Sequence, residues 1–544
     1  MAGWNLGDLF EGVEAGLPAD APALIHGTEQ ISWGDLASRT RSLAAALQAR
    51  GAAPDDKVAL YLRNGTAYTE TLGACFKARL VHVNVNYRYV DDELHYILDD
   101  SDAAFVVFDE EFQDRVLRIA SRLPRVKGWI QVSGAEGGAV PEIAESYAAL
   151  VAERPDAELA VERSPDDLMF IYTGGTTGMP KAVMWRHEDI WGALGGGANT
   201  PASRGRRPST PAEHIANVTA HGPGPRQLCA CPLMHGTGLL TAIGNLLGGG
   251  ATLTLSGTRF DPAALFDEAE RHRAQSLVIV GDAFARPMLE VLDAEPDRWD
   301  LSSLKVVLSS GVMWSGEVKE GLLRHLPGAA LADLFGSSEA VGFGTSVTRH
   351  KHRVEGATGT FRVGAHCKVF SEDHREVMPG SGERGFIARC GSIPLGYYKD
   401  PEKTAKTFPV IDGVRYSIPG DWCKVEADGT LTLLGRGSAT INTAGEKVHS
   451  EEVEEALKLH PNVADALVVG IPDPKWGQAV TAVVELRRGE FDEDELRAHV
   501  RVHLAGYKTP KRVFAVADAM FRGANGKADY RRAAAFVVEQ LAGE

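Results

Sequence analysis

Residues 171–182, with the sequence IYTGGTTGMPKA, carry groups suited to binding a polyphosphate. The apolar residues 168–172 predict a buried strand, and a loop follows that strand. Glycines let the backbone approach a ligand, while threonine hydroxyls and a lysine ammonium can bind phosphate oxygens. The candidate phosphate-binding residues are Thr173, Gly174, Gly175, Thr176, Thr177, Gly178 and Lys181. A plain turn is the alternative, and the separation of Gly178 from Lys181 differs from that of the common Gly-Lys phosphate loop.

Strand and helix patterns alternate before this loop, and these elements must position it. Residues 33–52 and 65–79 have the spacing of helices, whereas residues 57–62, 81–86 and 104–108 have the pattern of short strands. Such alternation predicts an α/β fold in layers of sheets and helices.

Two later segments differ in composition from this pattern. Residues 192–225 are rich in Gly, Pro, Ala and Ser, which predicts a long loop. Its arginines, Arg204, Arg206 and Arg207, either face solvent or contact a phosphate of a cofactor. From about residue 439 onward, a further set of helices and strands predicts a compact α+β domain.

The composition is typical of a folded soluble protein with more than one domain. The chain has 544 residues, of which 44% are hydrophobic and 24% are charged. Its net charge of −16 disfavours nonspecific binding to nucleic acid or to anionic membranes. The six cysteines form neither a disulfide framework nor a zinc pattern, which favours a reduced, cytoplasmic location. The uncharged residues 236–258 predict a buried helix, turn and strand rather than a membrane span.

The loop at residues 171–182 resembles the signature loop of the adenylate-forming superfamily, which includes acyl-CoA synthetases, firefly luciferase and peptide-synthetase adenylation domains. Gly174 stands where Ser is common and Ala182 where Gly is common, and both changes keep a small residue. The resemblance extends from about residue 20 to residue 530. The motifs look most like those of bacterial ligases that act on fatty acids and steroid side-chain acids.

Two motifs in the middle of the chain resemble the acyl and adenine elements of this family. PLMHGTG places His235 where a ring orients the carboxylate, with a core histidine as the alternative. In ADLFGSSEA, Phe335 is implied to stack on adenine, Asp333 to accept from the adenine amino group, and Ser338 to contact the α-phosphate. Glu339 is the implied Mg²⁺ ligand, although Ser-Ser-Glu alone also begins helices. The remaining implied nucleotide contacts here are Gly311, Gly336 and Ser337.

The last part of the chain resembles the family's ribose and lysine elements. By this resemblance Asp421 holds the ribose hydroxyls, Arg436 is a second nucleotide contact, and residues 436–438 form a hinge. Lys527 follows Gly526 and is the implied catalytic lysine, with a solvated surface lysine as the alternative.

The resemblance implies a large N-terminal adenylation domain with several layered α/β subdomains and a small, mobile α+β C-terminal domain. The expected boundaries are residues 1–435, a hinge at 436–438, and residues 439–544. A carboxylic acid and ATP, with Mg²⁺, would give an acyl-adenylate and diphosphate, after which coenzyme A would take the acyl group and AMP would leave. Lys527, His235 and Glu339 would be the catalytic residues.

Two other functions stay open from the sequence. The acyl group could pass to a carrier protein, or the chain could be a nucleotide-binding sensor without catalysis. The expected partners are a small-molecule carboxylic acid, ATP and coenzyme A, and a homodimer is the assembly that we allow for. We expect no nucleic-acid partner and no integral membrane association.

Overall fold

The computed structural model describes most of the chain. The described residues are 3–134, 138–173, 180–312, 314–350, 360–436, 440–443, 446–473, 477–487, 490–504, 506–516, 521–522 and 528–542. The predicted α/β layering is confirmed, because helices and strands alternate through most of this part of the chain.

The described ranges hold sixteen α-helices, which cover the sheets and fill the spaces between them. In chain order they are α1 (Leu6–Gly16), α2 (Trp33–Ala49), α3 (Thr66–Ala78), α4 (Asp91–Asp100), α5 (Gln113–Ala120), α6 (Tyr147–Glu153), α7 (His187–Ala193), α8 (Pro211–His221), α9 (Gly236–Leu247), α10 (Pro262–Arg271), α11 (Asp282–Ala294), α12 (Gly316–His325), α13 (Pro401–Thr407), α14 (Ser450–Lys458), α15 (Glu493–His503) and α16 (Tyr530–Ala542).

The largest sheet has thirteen strands within the described residues, and its strands are parallel on one side and antiparallel on the other. In spatial order the strands are β17 (Cys367–Phe370), β18 (Arg384–Arg389), β22 (Asp421–Val425), β23 (Thr430–Arg436), β16 (Thr360–Val363), β15 (Ala340–Arg349), β14 (Ala330–Ser337), β13 (Val306–Ser310), β12 (Ser276–Ile279), β10 (Arg226–Cys229), β11 (Ala251–Thr254), β1 (Pro22–His26) and β2 (Glu29–Ser32). Neighbouring strands are parallel from β14 to β1 in this order and antiparallel from β14 to β17, and the edge strand β2 is antiparallel to β1.

A second sheet carries the two strands that flank the predicted phosphate loop. In spatial order the described strands are β19 (Gly396–Tyr397), β9 (Lys181–Arg186), β8 (Leu168–Thr173), β4 (Val81–Asn84), β3 (Lys57–Tyr61), β5 (Ala103–Asp109), β6 (Gly128–Val132) and β7 (Ala144–Ser146). β8 and β9 are antiparallel and pair in register from Leu168 with Arg186 to Thr173 with Lys181. The two strands that flank the loop are therefore an antiparallel pair, and residues 174–179 between them lie outside the described residues.

A third, smaller sheet lies near the C-terminus. Its described strands are β24 (Thr440–Thr443), β25 (Glu446–His449), β26 (Val463–Asp473), β27 (Gly477–Leu486) and β28 (Arg512–Val516), and a separate short hairpin consists of β20 (Val410–Ile411) and β21 (Val414–Arg415). Val453 of α14, Val468 of β26 and Val480 of β27 belong to one buried cluster beside this sheet. A larger cluster joins the other two sheets, with Leu60 of β3 and Leu277 of β12 among its members.

The prediction of a long loop over residues 192–225 is wrong in part, because α8 lies within it. Thr210 caps this helix by accepting a hydrogen bond from the backbone N–H of Glu213, and Pro211 occupies the first turn. The Glu213 side chain in turn accepts from the N–H of Ser209, so the residue before the cap is also tied to the first turn. This cap signal was present in the sequence and was hidden by the Gly- and Pro-rich composition.

The uncharged residues 236–258 form α9, a turn and β11, as predicted. No helix in the part of the chain that the structure describes is long and apolar enough to cross a membrane. All six cysteines lie in described ranges and are free thiols.

Candidate active site

A cavity of about 2020 Å³ is lined by residues of the thirteen-stranded sheet and of the small C-terminal sheet with its helices. Many of the sequence-predicted residues meet at its wall. These are Thr173, Gly311, Asp333, Phe335, Gly336, Ser337, Ser338, Glu339 and Asp421. Gly174, Gly175, Thr176, Thr177, Gly178 and Lys527 lie outside the described residues.

The β14–β15 hairpin places Glu339 at the cavity wall. Ser337 pairs with Ala340 across a bulge, so Glu339 occupies the tip of the turn. A Cβ atom at Gly336 would lie 3.0 Å from the carbonyl oxygen of Ala340 and 3.1 Å from the nitrogen of Gly342. The close approach of the two strands at this tip therefore favours glycine at position 336.

Three side chains from other parts of the molecule hold this tip. The Tyr397 hydroxyl donates to Glu339 Oε1 at 2.7 Å, and Ser417 Oγ donates to the Glu339 carbonyl at 2.6 Å. Trp185 of β9 donates from Nε1 to the Ser338 carbonyl at 2.9 Å. The tip is thus fixed from the strand that leaves the predicted phosphate loop.

The Glu339 side chain fits a hard divalent cation shared with a nucleotide. The residue is only 8% exposed and lines the cavity, yet its carboxylate forms no ion pair with any described residue. A buried carboxylate without a counter-charge is unfavourable, whereas one carboxylate together with phosphate oxygens is a common Mg²⁺ environment. The described residues contain no group of three protein ligands that could hold a metal alone.

Asp333 lies deeper, in the middle of β14, and already has a counter-charge. Lys319 of α12 donates to its carboxylate, and the Lys319 ammonium lies 5.5 Å from the ring centre of Trp314. Burial raises the pKa of Asp333, while Lys319 opposes that rise. Asp333 lines the cavity, so its predicted contact with an adenine amino group would be made by a paired carboxylate.

Phe335 and Asp421 reach the cavity from strands of the same sheet. The Phe335 ring packs against Phe343 and Phe361, with centroid distances of 5.2 Å each. Asp421 begins β22, is 7% exposed, and pairs through its backbone with Arg436 of β23. Gly420, at a φ of 100°, turns the chain into that strand. The base-stacking and ribose roles of these residues remain predictions, and the Arg436 side chain lies outside the description.

His235 does not line the cavity among the described residues, but its segment borders it. It precedes α9, and a Cβ atom at the next residue, Gly236, would lie 3.9 Å from Ser338 Oγ. The Thr237 hydroxyl donates to the carbonyl of Ser310 at 3.4 Å. The orienting role of His235 therefore stays a prediction with its backbone in a suitable place.

Asn84 is a positioning residue that sequence reasoning missed. Its Nδ2 donates to the carbonyl of Tyr172 at 3.1 Å and to that of Met234 at 2.7 Å, while its Oδ1 accepts from the Tyr172 N–H at 2.7 Å. One buried amide thus joins the strand before the predicted phosphate loop to the segment before His235. No motif marks this residue, which lies inside the predicted strand 81–86 and is the last residue of the observed β4.

Lys181 is not among the described residues that line the cavity. It is the first residue of β9, and its Nζ lies 3.7 Å from Asp100 Oδ1 of α4. Burial lowers the pKa of Lys181, but the Asp100 carboxylate and Tyr96 shift it upward overall. Among the described residues, Lys403 and Lys406 line the cavity whereas Lys181 does not. A phosphate contact by Lys181 would require its ammonium to leave Asp100.

Comparisons with protein families give a consistent result. The model of the AMP-binding enzyme family matches residues 10–398, and that of the AMP-binding enzyme C-terminal domain matches residues 452–527. A 3-oxocholest-4-en-26-oate–CoA ligase of Rhodococcus rhodochrous is 40% identical over 97% of this chain and 95% of its own length. A medium/long-chain-fatty-acid–CoA/3-oxocholest-4-en-26-oate–CoA ligase of Mycolicibacterium smegmatis is 41% identical over 99% of this chain and 98% of its own length.

Solved structures share the fold at lower identity. The anthranilate CoA ligase AuaEII in complex with anthranoyl-AMP has a TM-score of 0.83 at 21% identity and covers 99% of both chains. ATP-bound MatB from Rhodopseudomonas palustris has a TM-score of 0.79 at 23% identity, covering 97% of this chain and 98% of its own. At these identities the likeness concerns the fold alone.

Proposed function

We propose, since the chain belongs to the AMP-binding enzyme family, that it is an AMP-forming acid–CoA ligase. In this reaction an acid and ATP give an acyl-adenylate and diphosphate, and coenzyme A then gives acyl-CoA and AMP. The observation that carries the proposal is that one cavity unites residues of both family-matched regions, with Glu339 from the first and Arg522 from the second. The full-length relatives that are CoA ligases support the same reaction.

The acid that we propose is a fatty acid or a steroid side-chain acid. Relatives at 40–41% identity act on 3-oxocholest-4-en-26-oate or on medium- and long-chain fatty acids. The helix that follows His235, α9, is rich in apolar residues and small glycines, which suits an acyl chain lying against it.

The electrostatic problem of the first step is that an anionic acid must approach an anionic nucleotide. When bound, Mg²⁺ would neutralise phosphate charge, and Glu339 is the residue that would hold it. Thr173 lies at the cavity end of β8, where its hydroxyl can donate to a phosphate oxygen. We propose that Lys527 stabilises the negative charge that develops at the α-phosphate, and that Asp421 accepts from the ribose hydroxyls.

The domain boundaries and the hinge are part of the proposal. Residues 1–435 would form the adenylation domain, residues 436–438 the hinge and residues 439–544 the mobile C-terminal domain. Rotation at the hinge would withdraw Lys527 and admit the thiol of coenzyme A to the same adenylate. A homodimer and a cytoplasmic location stay predictions, which light scattering of the purified chain and cell fractionation would check.

A panel of short-, medium-, long-chain and steroid acids tests the reaction. AMP release is measured with and without coenzyme A, and acyl-CoA is identified by mass. We expect coenzyme-A-dependent AMP release with at least one long-chain or steroid acid. Transfer only to a carrier protein would favour the carrier alternative, and ATP binding without any diphosphate exchange would favour the sensor alternative.

A further inference from the structure

Tyr397 brings a buried phenol from one sheet to the carboxylate of another. It lies in β19, which pairs with β9 through Gly396 with Met184 and Tyr397 with Val183. The residue is 4% exposed, and its hydroxyl donates to Glu339 Oε1 at 2.7 Å. The bond therefore joins the sheet of the predicted phosphate loop to the tip of the β14–β15 hairpin.

The surroundings of Tyr397 fix its ring in this position. Its backbone N–H donates to Thr404 Oγ1 at 2.8 Å, and its ring centre lies 5.9 Å from that of Phe408. A Cβ atom at Gly396, whose φ is 147°, would lie 2.4 Å from Thr404 Cγ2, so this approach of β19 to α13 requires glycine. A ring held by packing on several sides can direct its hydroxyl at one acceptor.

A cation lies over the same ring. The Nζ of Lys403, on α13, is 4.3 Å from the centre of the Tyr397 ring and lines the cavity. A positive charge over a phenol polarises it, which makes its hydroxyl a stronger hydrogen-bond donor. Lys403 therefore strengthens the hydrogen bond that the Tyr397 hydroxyl donates to Glu339.

We infer that Tyr397, assisted by Lys403, is a positioning residue that fixes the Glu339 carboxylate for a divalent cation. Tyr397 occupies Oε1, while Oε2 forms no hydrogen bond or ion pair with the described residues and stays available for the cation. Partners that orient a metal ligand commonly set metal affinity without touching the metal. This inference rests on the proposed function, because it assumes that the cation enters with ATP.

A purely structural hydrogen bond is the competing explanation, and the next residue supplies a matched control. The Tyr398 hydroxyl donates to Asp102 Oδ2 at 2.8 Å, and Tyr398 is absent from the cavity lining among the described residues. Tyr398→Phe and Tyr397→Phe remove the same atom from adjacent positions. A structural role predicts similar small losses of stability in both variants, with no change in metal affinity.

The test measures Mn²⁺ binding in the presence of ATP by water-proton relaxation, using the full-length chain. We expect Tyr397→Phe to weaken Mn²⁺ affinity about tenfold, as for other residues that orient a metal ligand, and Tyr398→Phe to leave it unchanged. Lys403→Gln, which leaves the hydroxyl in place, should weaken affinity in the same direction by a smaller factor. In diphosphate exchange, Tyr397→Phe should raise the Mg²⁺ requirement more than it lowers the rate at saturating Mg²⁺.

The outcomes separate this inference from the proposed function. If both Tyr397→Phe and Lys403→Gln bind Mn²⁺ as tightly as the wild-type protein does, the positioning role is overturned. The proposed function would still stand, because the wild-type protein would still catalyse diphosphate exchange. If the wild-type protein instead catalyses diphosphate exchange with none of the acids tested, that result would contradict the proposed function. If Tyr397→Phe is recovered unfolded, the result with Lys403→Gln decides between positioning and structure.

Discussion

The two walls of the cavity, formed by the thirteen-stranded sheet (the large wall) and by the C-terminal sheet with its helices (the small wall), differ in how their charged side chains are paired. On the wall of the thirteen-stranded sheet, Glu339 has no ion pair among the described residues. On the opposite wall Arg522 is paired with Asp465, and Lys458 with Glu455. The large wall thus keeps the Glu339 carboxylate available for a ligand, whereas Arg522 and Lys458 of the small wall are each paired with a carboxylate of their own region. An added positive charge from the small wall can come from Arg531, which also lines the cavity, or from Lys527, which lies outside the described residues.

Lys527→Ala is the strongest test of this contrast. If this lysine supplies the transition-state charge that the paired cations do not, diphosphate exchange should fall by about 10²–10³-fold, as when one oxyanion donor is removed. Exposed Lys305 of the large part, whose ammonium donates to the Ser302 carbonyl, gives Lys305→Ala as the control. Exchange that survives Lys527→Ala unchanged would refute the catalytic assignment.

Asp421→Asn tests whether the large wall holds the nucleotide. A hydrogen bond to a charged group contributes about 1.5–3 kcal/mol, so the KM for ATP should rise about tenfold or more. The exposed Asp428, on the turn between β22 and β23, gives Asp428→Asn as a control on the same hairpin. Unchanged nucleotide affinity in Asp421→Asn, measured by calorimetry, would remove the ribose role.

Among the described residues, one ion pair joins the part of the chain behind the large wall to the part behind the small wall. Reversing a charge of this pair tests whether the contact affects the two half-reactions. Arg487, just beyond β27, donates to both carboxylate oxygens of Glu317 on α12, at 3.1 and 3.0 Å. Because exposed pairs contribute about 0.2–1 kcal/mol, Arg487→Glu should change the ratio of adenylation to thioester formation by up to about fivefold. The double variant with Glu317→Arg should restore the ratio.

The control for that pair lies on the same helix. Arg324 faces Asp293 at 3.7 Å within the large part, so Arg324→Glu should leave the ratio of the two half-reactions unchanged. Equal effects of Arg324→Glu and Arg487→Glu would mean that general charge, not the crossing contact, sets the ratio.

Glu454 gives the smallest expected effect, confined to the small wall. Burial raises its pKa to about 7, and its Oε1 accepts from the Val468 N–H at 2.9 Å. Because the pKa of Glu454 is higher in the folded state than in the unfolded state, its protonated carboxyl stabilises the fold at pH values below the ordinary carboxyl pKa. This contribution is lost as the pH rises through about 7. The rate of amide hydrogen exchange in residues 450–470 should rise from pH 5 to 8 by more than the intrinsic exchange rate of unprotected amides rises over the same range. Glu454→Gln should remove that excess, and an unchanged pH profile would contradict the raised pKa.

Local patterns were sufficient for much of the fold. β8 follows from a short apolar run, and α2 and α3 follow from helical spacing, because these signals lie within a few adjacent residues. β9 was not predicted as a strand, since its pairing with β8 depends on the hairpin rather than on a local pattern. The family resemblance implied by the motifs is confirmed.

The site was predicted where motifs carry it and missed where distant residues carry it. The motif residues Asp333, Glu339 and Asp421 do meet at one cavity. The pairing of Lys319 with Asp333 and the bond from Tyr397 to Glu339 depend on how separate elements pack, which no local pattern encodes.

The amide of Asn84 has a consequence for how this protein can be redesigned. Its contacts at Tyr172 and Met234 are made to main-chain atoms, so they do not depend on which side chains those positions carry. Substitutions of the side chain at position 234 should therefore retain the link between β8 and the segment before α9. A change at position 84 would instead uncouple two segments at once, which makes it a poor site for diversification.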